Sequence, residues 1–386
     1  MKTRWLILLG CIAAFGSLHA KNKSDSSCCP QNDCCEPVQC CEPAPVECCP
    51  CPNQFQQGMP LCNYYHPAYN APARIDVAGC WDLDIYGSFI YWHVNEEGLV
   101  LAAKTVATAG QLNSSTPVGV AVQDFTYKPG FKVGFGFDLD RDNWVCFAEY
   151  TRLHQSTVHS STLNSNFFWR MNNLIFPAIS DLYHPTSLTS KWKMNFDMVD
   201  LSFSRPYYQG TYLTLSPYGG MRGLLITQSI HVEANPNQVN FATGITRSRC
   251  WGIGPNGGVI TNWLLGSGFR FEGMAGASLL YTRYTKLAHR SILSTAASAE
   301  ATALNIDASL RDYNVLRPVM ELGVGMGWGK YVRCNKWYMD LSVRYDFLQF
   351  WKQNMLREFD FMLTTATAPG NDLQMHGITA TARFDF

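Results

Sequence analysis

Thiols are the first candidates for chemistry in this chain. The stretch CCPQNDCCEPVQCCEPAPVECCPC, Cys28 to Cys51, gives nine of its twenty-four residues to cysteine, with four adjacent pairs. With Cys62 the set becomes Cys28, Cys29, Cys34, Cys35, Cys40, Cys41, Cys48, Cys49, Cys51 and Cys62. Three uses compete: a metal cluster, a small disulfide knot, or cross-links to other chains. Zinc sites draw on C-x2-C pairs held by a folded frame. Vicinal pairs and the CPC step supply neither, so no metal and no other cofactor is expected. A bond inside one CC pair is strained, which turns these thiols towards distant partners. Prolines and the absence of a core argue against a knot.

Other motifs that could do chemistry dissolve on inspection. GIGPNG, Gly252 to Gly257, matches the dinucleotide-binding pattern, but that pattern must open a helix, and GGVITNW follows instead. Glycines that let strands approach closely are the better account. GVGMGWGK, Gly323 to Lys330, lacks the P-loop spacing and has Tyr331 where Ser or Thr is required, so it reads as a strand with small residues on one face. His154, His159, His184, His231, His289 and His376 fall in or beside expected loops and assemble no triad. No enzymatic activity is expected.

The N-terminus sets the compartment. Lys2 and Arg4, the apolar run Trp5 to Phe15 and the small-residue stretch SLHA, ending at Ala20, form a secretory signal peptide over residues 1–20. LLGC, Leu8 to Cys11, offers a rival lipoprotein site at Cys11, but its apolar core of about six residues is shorter than signal peptides use. In an oxidising compartment disulfides outrank metal, which favours cross-linking. Residues 21–79 are rich in Cys, Pro, Gln and Asn without apolar periodicity and read as a disordered tail on the periplasmic side. Beyond residue 20 no window reaches the roughly 18 consecutive apolar residues of a membrane helix. Lys plus Arg equals Asp plus Glu, 30 each, so no bulk charge points to nucleic acid.

From Trp81 onward the texture is strand-like. In WYMDLSVRYDF, Trp337, Met339, Leu341, Val343, Tyr345 and Phe347 alternate with polar residues, and FKVGFGFDLD repeats the scheme. This is the pattern of a transmembrane strand with one lipid face and one lumen face. The expected strands are 81–94, 125–139, 144–156, 189–204, 211–231, 245–260, 265–285, 311–329, 336–352 and 373–386. Connections between them alternate long and short, the layout of an all-β, antiparallel, up-and-down outer-membrane barrel over residues 80–386. Ten strands are expected, and a hairpin folded from Gly98 to Thr108 would raise the count to twelve. KWKMNFDMVDLSFS slips parity after Met198, which predicts a β-bulge there. Trp81, Trp92, Trp144, Trp192, Trp263, Trp328, Trp337 and Trp351 fall near strand ends, where aromatic girdles sit; Trp169 and Trp251 do not. HGITATARFDF places Ile378, Phe384 and Phe386 on one face, and its terminal aromatics resemble the signal read by the barrel-assembly machinery.

Parity also selects the charges that face the lumen: Asp82, Asp84, Lys132, Asp138, Lys193, Asp197, Arg270, Glu272, Arg317, Glu321, Asp340 and Arg344. Both signs are nearly balanced, which suits either a weakly selective pore or a lumen filled by ion pairs. Eight strands leave an interior just filled by side chains, whereas open porins use 16–18, so ten fall between.

LSPYGGMRG, CWGIGPNGGV, GMAGASLLY, LRPVMELGVGMGW and YDFLQFWKQN together resemble the major-outer-membrane-protein-like, pore-forming family of legionellae and environmental chlamydiae. The resemblance implies an outer-membrane porin or porin-like structural protein. The expected function is passive diffusion of small solutes together with a part in a disulfide-linked envelope. The alternative is a structural or adhesive protein with a closed barrel. Expected partners are outer-membrane lipid, other cysteine-rich envelope proteins and further copies of the chain. Cys80 and Cys334 join the cross-linking candidates, Cys334 because its short turn lies on the tail's side.

Overall fold

The computed structural model describes residues 70–77, 83–106, 117–139, 142–164, 166–171, 185–235, 241–294, 304–356 and 371–386. The signal peptide, the ten tail cysteines, Cys80 and Asp82 lie outside the described residues. The described elements are strands: β1 (Leu83–Glu96), β2 (Val100–Val106), β3 (Pro117–Val122), β4 (Lys128–Asp138), β5 (Val145–Thr162), β6 (Phe167–Met171), β7 (Ser187–Ser204), β8 (Tyr207–Tyr208), β9 (Leu213–Ala234), β10 (Phe241–Gly266), β11 (Phe269–Ser294), β12 (Leu304–Leu310), β13 (Tyr313–Val332), β14 (Trp337–Asn354) and β15 (Asn371–Asp385).

Ten of them close into an antiparallel barrel in the order β1, β4, β5, β7, β9, β10, β11, β13, β14, β15. The closing pair runs from Asp84 opposite Asp385 to Glu96 opposite Leu373. Leu83 and Phe386 extend it by exchanging backbone hydrogen bonds of 3.3 and 3.0 Å. Closure leaves the barrel itself no open edge. All ten expected strands are present. The stretch foreseen as a hairpin, Gly98 to Thr108, supplies one strand only, β2; its partner β3 lies beyond it, and both join β6 in a separate three-stranded sheet. The barrel count therefore stays at ten.

Connections 139–144, 205–212, 267–268 and 333–336 gather at one end, the turn end. The strand ends that the longer connections join lie at the other, the loop end. The turn between β10 and β11 depends on glycine: Gly266, Ser267 and Gly268 have φ of 95°, 55° and 81°. A Cβ on Gly268 would stand 2.3 Å from the Gly329 carbonyl oxygen. Gly268→Ala is expected to lower stability by more than about 1 kcal/mol, because the left-handed backbone and the contact both resist it. The midpoint of urea unfolding measures this.

The walls are longer than a bilayer requires. β10 and β11 each run 26 residues, against the roughly 9–11 that cross the hydrocarbon. Sidedness changes along this length. In the turn-end half the outward residues are apolar: Phe131, Val133 and Phe135 on β4, and Leu341, Val343 and Tyr345 on β14, are 41–55% exposed. In the loop-end half the outward residues are mostly polar, with Val158 and Leu316 as exceptions, and the inward ones build a buried, largely apolar core that also takes in Thr157, Gln228 and His289.

β7 corrects the expected bulge. Trp192, Met194, Phe196 and Met198 face inward and are buried, and so do Asp200, Ser202 and Ser204 below them. Pairing with β5 and β9 is unbroken through Met198. One parity serves the whole strand, and what alters is the surroundings. Lys193 and Asp197 therefore face outward, not into the lumen as parity suggested. Trp92 and Trp192, expected in a girdle, are also fully buried inside the barrel. Trp144, Trp263 and Trp337 are exposed at the turn end, where a girdle was expected. Trp251, which fitted no girdle, is half-exposed on the exterior and meets Tyr281 edge-on at 6.2 Å.

Candidate functional site: a two-layered lumen

The turn-end half of the lumen is polar. β13 lays its floor, since Gly323, Gly325 and Gly327 leave room for long side chains from neighbouring strands. A Cβ on Gly327 would stand 2.7 Å from the Arg270 guanidinium and the Glu272 carboxylate, and one on Gly325 would stand 2.3 Å from the Val343 carbonyl oxygen and 2.8 Å from the Arg344 side chain. The stretch that imitates a P-loop is thus the bed of an ion network. Gly254 serves strand packing instead. A Cβ there would stand 2.0 Å from the Leu279 carbonyl oxygen, so β10 and β11 approach closely, as the glycine pattern predicted.

Arg222 on β9 holds the network's centre. It grips Asp200 with two hydrogen bonds of 2.6 and 2.9 Å, and reaches across to Glu321 on β13 at 2.6 Å. Asn256 donates to the same Asp200 at 3.4 Å. A second group joins Arg270 to both Asp340 and Glu272. A third joins Arg344 to Asp346 at 2.8 Å, with Thr379 donating to that carboxylate at 2.6 Å. Lys132 lies 3.5 Å from Glu149 and 3.9 Å from Asp346, so it links β4 to β5 and β14. Arg383 meets Asp385 at 2.6 Å and Asp84 at 3.5 Å. These groups surround a cavity of about 290 Å³ whose lining carries six cationic and seven anionic side chains. Such near balance gives little field for selecting ions by sign. Paired geometry of this kind is what buried charge requires.

Asp84, Lys132, Arg270, Glu272, Glu321, Asp340 and Arg344 line this cavity. Asp138 sits at the turn-end mouth, 3.3 Å from Arg74. Arg317 is inward but higher, among apolar groups, with a nitrogen 3.1 Å from the Met355 sulfur and its guanidinium 5.8 Å from the Tyr284 ring. Arg222, Asp200, Glu149, Asp346, Arg383 and Asp385 were missing from the expected set. A signal for two of them was present, because an outward Phe384 and Phe386 require an inward Arg383 and Asp385.

Above this layer the lumen is filled by apolar side chains. Ile90, Trp92, Leu153, Trp192, Phe196 and Phe350 are fully buried there, in one cluster with Leu101, Ala102 and Trp169 of the separate sheet. Phe196 on β7 meets Phe350 on β14 edge-on at 5.8 Å. Five strand-to-strand steps separate β7 from β14 in either direction around the barrel. The two rings thus touch across its diameter. Trp192 adds a hydrogen bond of 2.9 Å to Glu96 of β1.

The turn-end mouth is also occupied. Residues 70–77 cross it, with Asn70 and Tyr208, and Ala73 and Pro206, joined through their backbones. Ala73, Arg74 and Ile75 line the cavity. Cys334, in the turn between β13 and β14, is disulfide-bonded. Cys146 and Cys250 are the free cysteines among the described residues, and both are buried.

The histidines form no catalytic relay among the described residues. His154 and His159 pair with Asp197 and Asp124 at 3.2 and 2.6 Å. His231 meets Thr243 at 3.0 Å and Glu233 at 3.3 Å, but through the same ring nitrogen, whereas a relay uses both. His184 lies outside the described residues. No group of three metal-ligating side chains gathers among the described residues.

Among solved structures, the outer membrane protease OmpT of Escherichia coli is similar over 79% of this chain and 96% of its own, at 10% identity and a TM-score of 0.38. The attachment invasion locus protein Ail of Yersinia pestis covers 78% and 98%, at 8% identity and 0.22. The toluene transporter TodX of Pseudomonas putida covers 78% and 89%, at 8% identity and 0.24. At these values the likenesses carry no argument about activity. No curated protein matches the chain. Residues 78–386, the whole barrel, match the family described as Legionella pneumophila major outer membrane protein precursor, and the chain belongs to that outer-membrane family.

Proposed function

We propose that this protein is a closed, side-chain-filled outer-membrane barrel whose main role is structural. The observation that carries this reading is the contact of Phe196 with Phe350 across the barrel's diameter. The loop end faces outward, and the turn end and tail face the periplasm. Attachment of residues 70–77 at the turn end supports that orientation. The tail thiols then fasten the barrel to other cysteine-rich envelope proteins or to further copies, and the oxidised state of Cys334 fits such a compartment. Phe384 and Phe386 serve the barrel-assembly machinery.

A second reading, porin-like passive diffusion of small solutes, is favoured by the polar cavity in the turn-end half. It requires the apolar layer to move aside. Planar-bilayer recordings of the folded protein, with and without reductant, separate the two. The structural reading expects no steady conductance in either state. It also expects high-mass ladders on non-reducing gels that collapse with reductant. Steady conductance from the unmodified protein would overturn the closed barrel, and an oxidised protein running only as monomer would overturn the cross-links.

A further inference from the structure

We infer that the exterior of β7, β9, β10 and β11, just above the apolar belt, is a docking surface for phosphate-bearing lipid headgroups of the outer leaflet. Four exposed cations make the patch: Lys193, Arg247, Arg249 and Lys286. Strand register sets them side by side. Lys193 and Arg247 both stand opposite Ser229, one from each flanking strand. Arg249 stands between Thr227 on β9 and Lys286 on β11. Two rows result, each with cations beside a hydroxyl, which suits phosphate oxygens.

A register shift builds the patch. Between Arg249 and Cys250 the pairing of β10 with β11 skips Thr285, which instead donates its hydroxyl to the Arg249 carbonyl at 3.2 Å. Before the shift Tyr281 and Arg283 point outward on β11. After it Lys286 points outward while Leu287 and His289 are buried. Unbroken alternation would have turned Lys286 into the apolar core. This irregularity in β11, which the sequence did not foreshadow, re-aims a cation.

Among the described residues the patch is electrostatically open. None of the four cations forms an ion pair with a described carboxylate. Acids on the same exterior strands are engaged elsewhere: Asp197 with His154 and the Tyr150 hydroxyl, Glu233 with His231. Height is the argument for a lipid. Leu225 stands opposite Trp251 at the belt's upper edge, and Thr227 opposite Arg249 is two residues further, about 7 Å along the strand. Headgroup phosphates sit at that height when acyl chains cover the belt.

Full-length folded protein in detergent is titrated with diphosphorylated lipid A, with the same lipid dephosphorylated, and with inorganic phosphate, and bound species are counted by native mass spectrometry. The expected result is at least tenfold tighter binding of the diphosphorylated lipid than of either other probe. Combined Lys193→Gln, Arg247→Gln, Arg249→Gln and Lys286→Gln removes that preference. Lys330→Gln with Lys352→Gln, exposed cations outside the patch, retains it. Should the fourfold variant fail to fold, Lys193→Gln with Lys286→Gln weakens binding at least threefold. Equal binding of the dephosphorylated lipid or of inorganic phosphate overturns the inference, as does unchanged binding by the patch variants. Conductance has no bearing on this result, so it stands or falls apart from the closed-barrel reading.

Discussion

Arg222→Met is expected to destabilise the barrel by about 3–5 kcal/mol, the cost of leaving buried carboxylates without their partner. The Arg222 side chain is 3% exposed, and Asp200 and Glu321 are 8% exposed, so water replaces little of what is lost. Methionine fills similar volume, which confines the change to charge and hydrogen bonding. Lysine is a poor substitute because the grip on Asp200 is two-pronged. Removing all three charges together, with Asp200→Asn and Glu321→Gln, is expected to restore much of the loss, since apolar or neutral replacements of whole buried networks are often tolerated. The measurement is the urea midpoint of the folded, heat-modifiable band on gels. A loss below about 1 kcal/mol would mean that solvent in the cavity already shields the two carboxylates.

The second large effect concerns the apolar layer. Phe196→Ala combined with Phe350→Ala removes the two rings that meet across the lumen. Each single change is expected to cost about 3–5 kcal/mol, as for buried phenylalanines elsewhere. The double change costs less than the sum, because each ring is the other's neighbour. Function changes more sharply. The unmodified barrel is expected to be silent in a planar bilayer, and the double variant to pass steady current with little ion selectivity, given the balanced charges below. Single variants keep one ring in the lumen and pass far less. Val158→Ala, at an exposed loop-end position, serves as the control and remains silent. A folded double variant that stays silent would locate the seal elsewhere, in the three-stranded sheet of β2, β3 and β6.

Much of the architecture was legible from alternation alone. WYMDLSVRYDF presents Trp337, Leu341, Val343 and Tyr345 outward and buries Asp340 and Asp346, as its period requires. Alternation separates two faces, however, without stating what each face meets. On β7 the pattern assigns the apolar face to lipid, whereas Trp192, Met194, Phe196 and Met198 form the interior of a wall that has left the bilayer. That single misassignment displaces Lys193 and Asp197 and requires a bulge that is absent. Arg222 is hidden for a related reason: it stands among small residues, YGGMRG, without an alternating frame to declare its side. Cross-barrel partners such as Phe196 and Phe350 are 154 positions apart and share no local signal.

The inversion of sidedness means that this barrel draws its stability from two different solvents. In the turn-end half lipid covers the apolar side chains, so that half answers to bilayer thickness and to the choice of detergent. The loop-end half carries an oil-filled interior surrounded by water, as soluble proteins do, and responds instead to temperature and denaturant through ordinary hydrophobic burial. Changing the amphiphile therefore loosens one storey while leaving the other intact, and amide exchange along the 26-residue strands β10 and β11 is where that division registers.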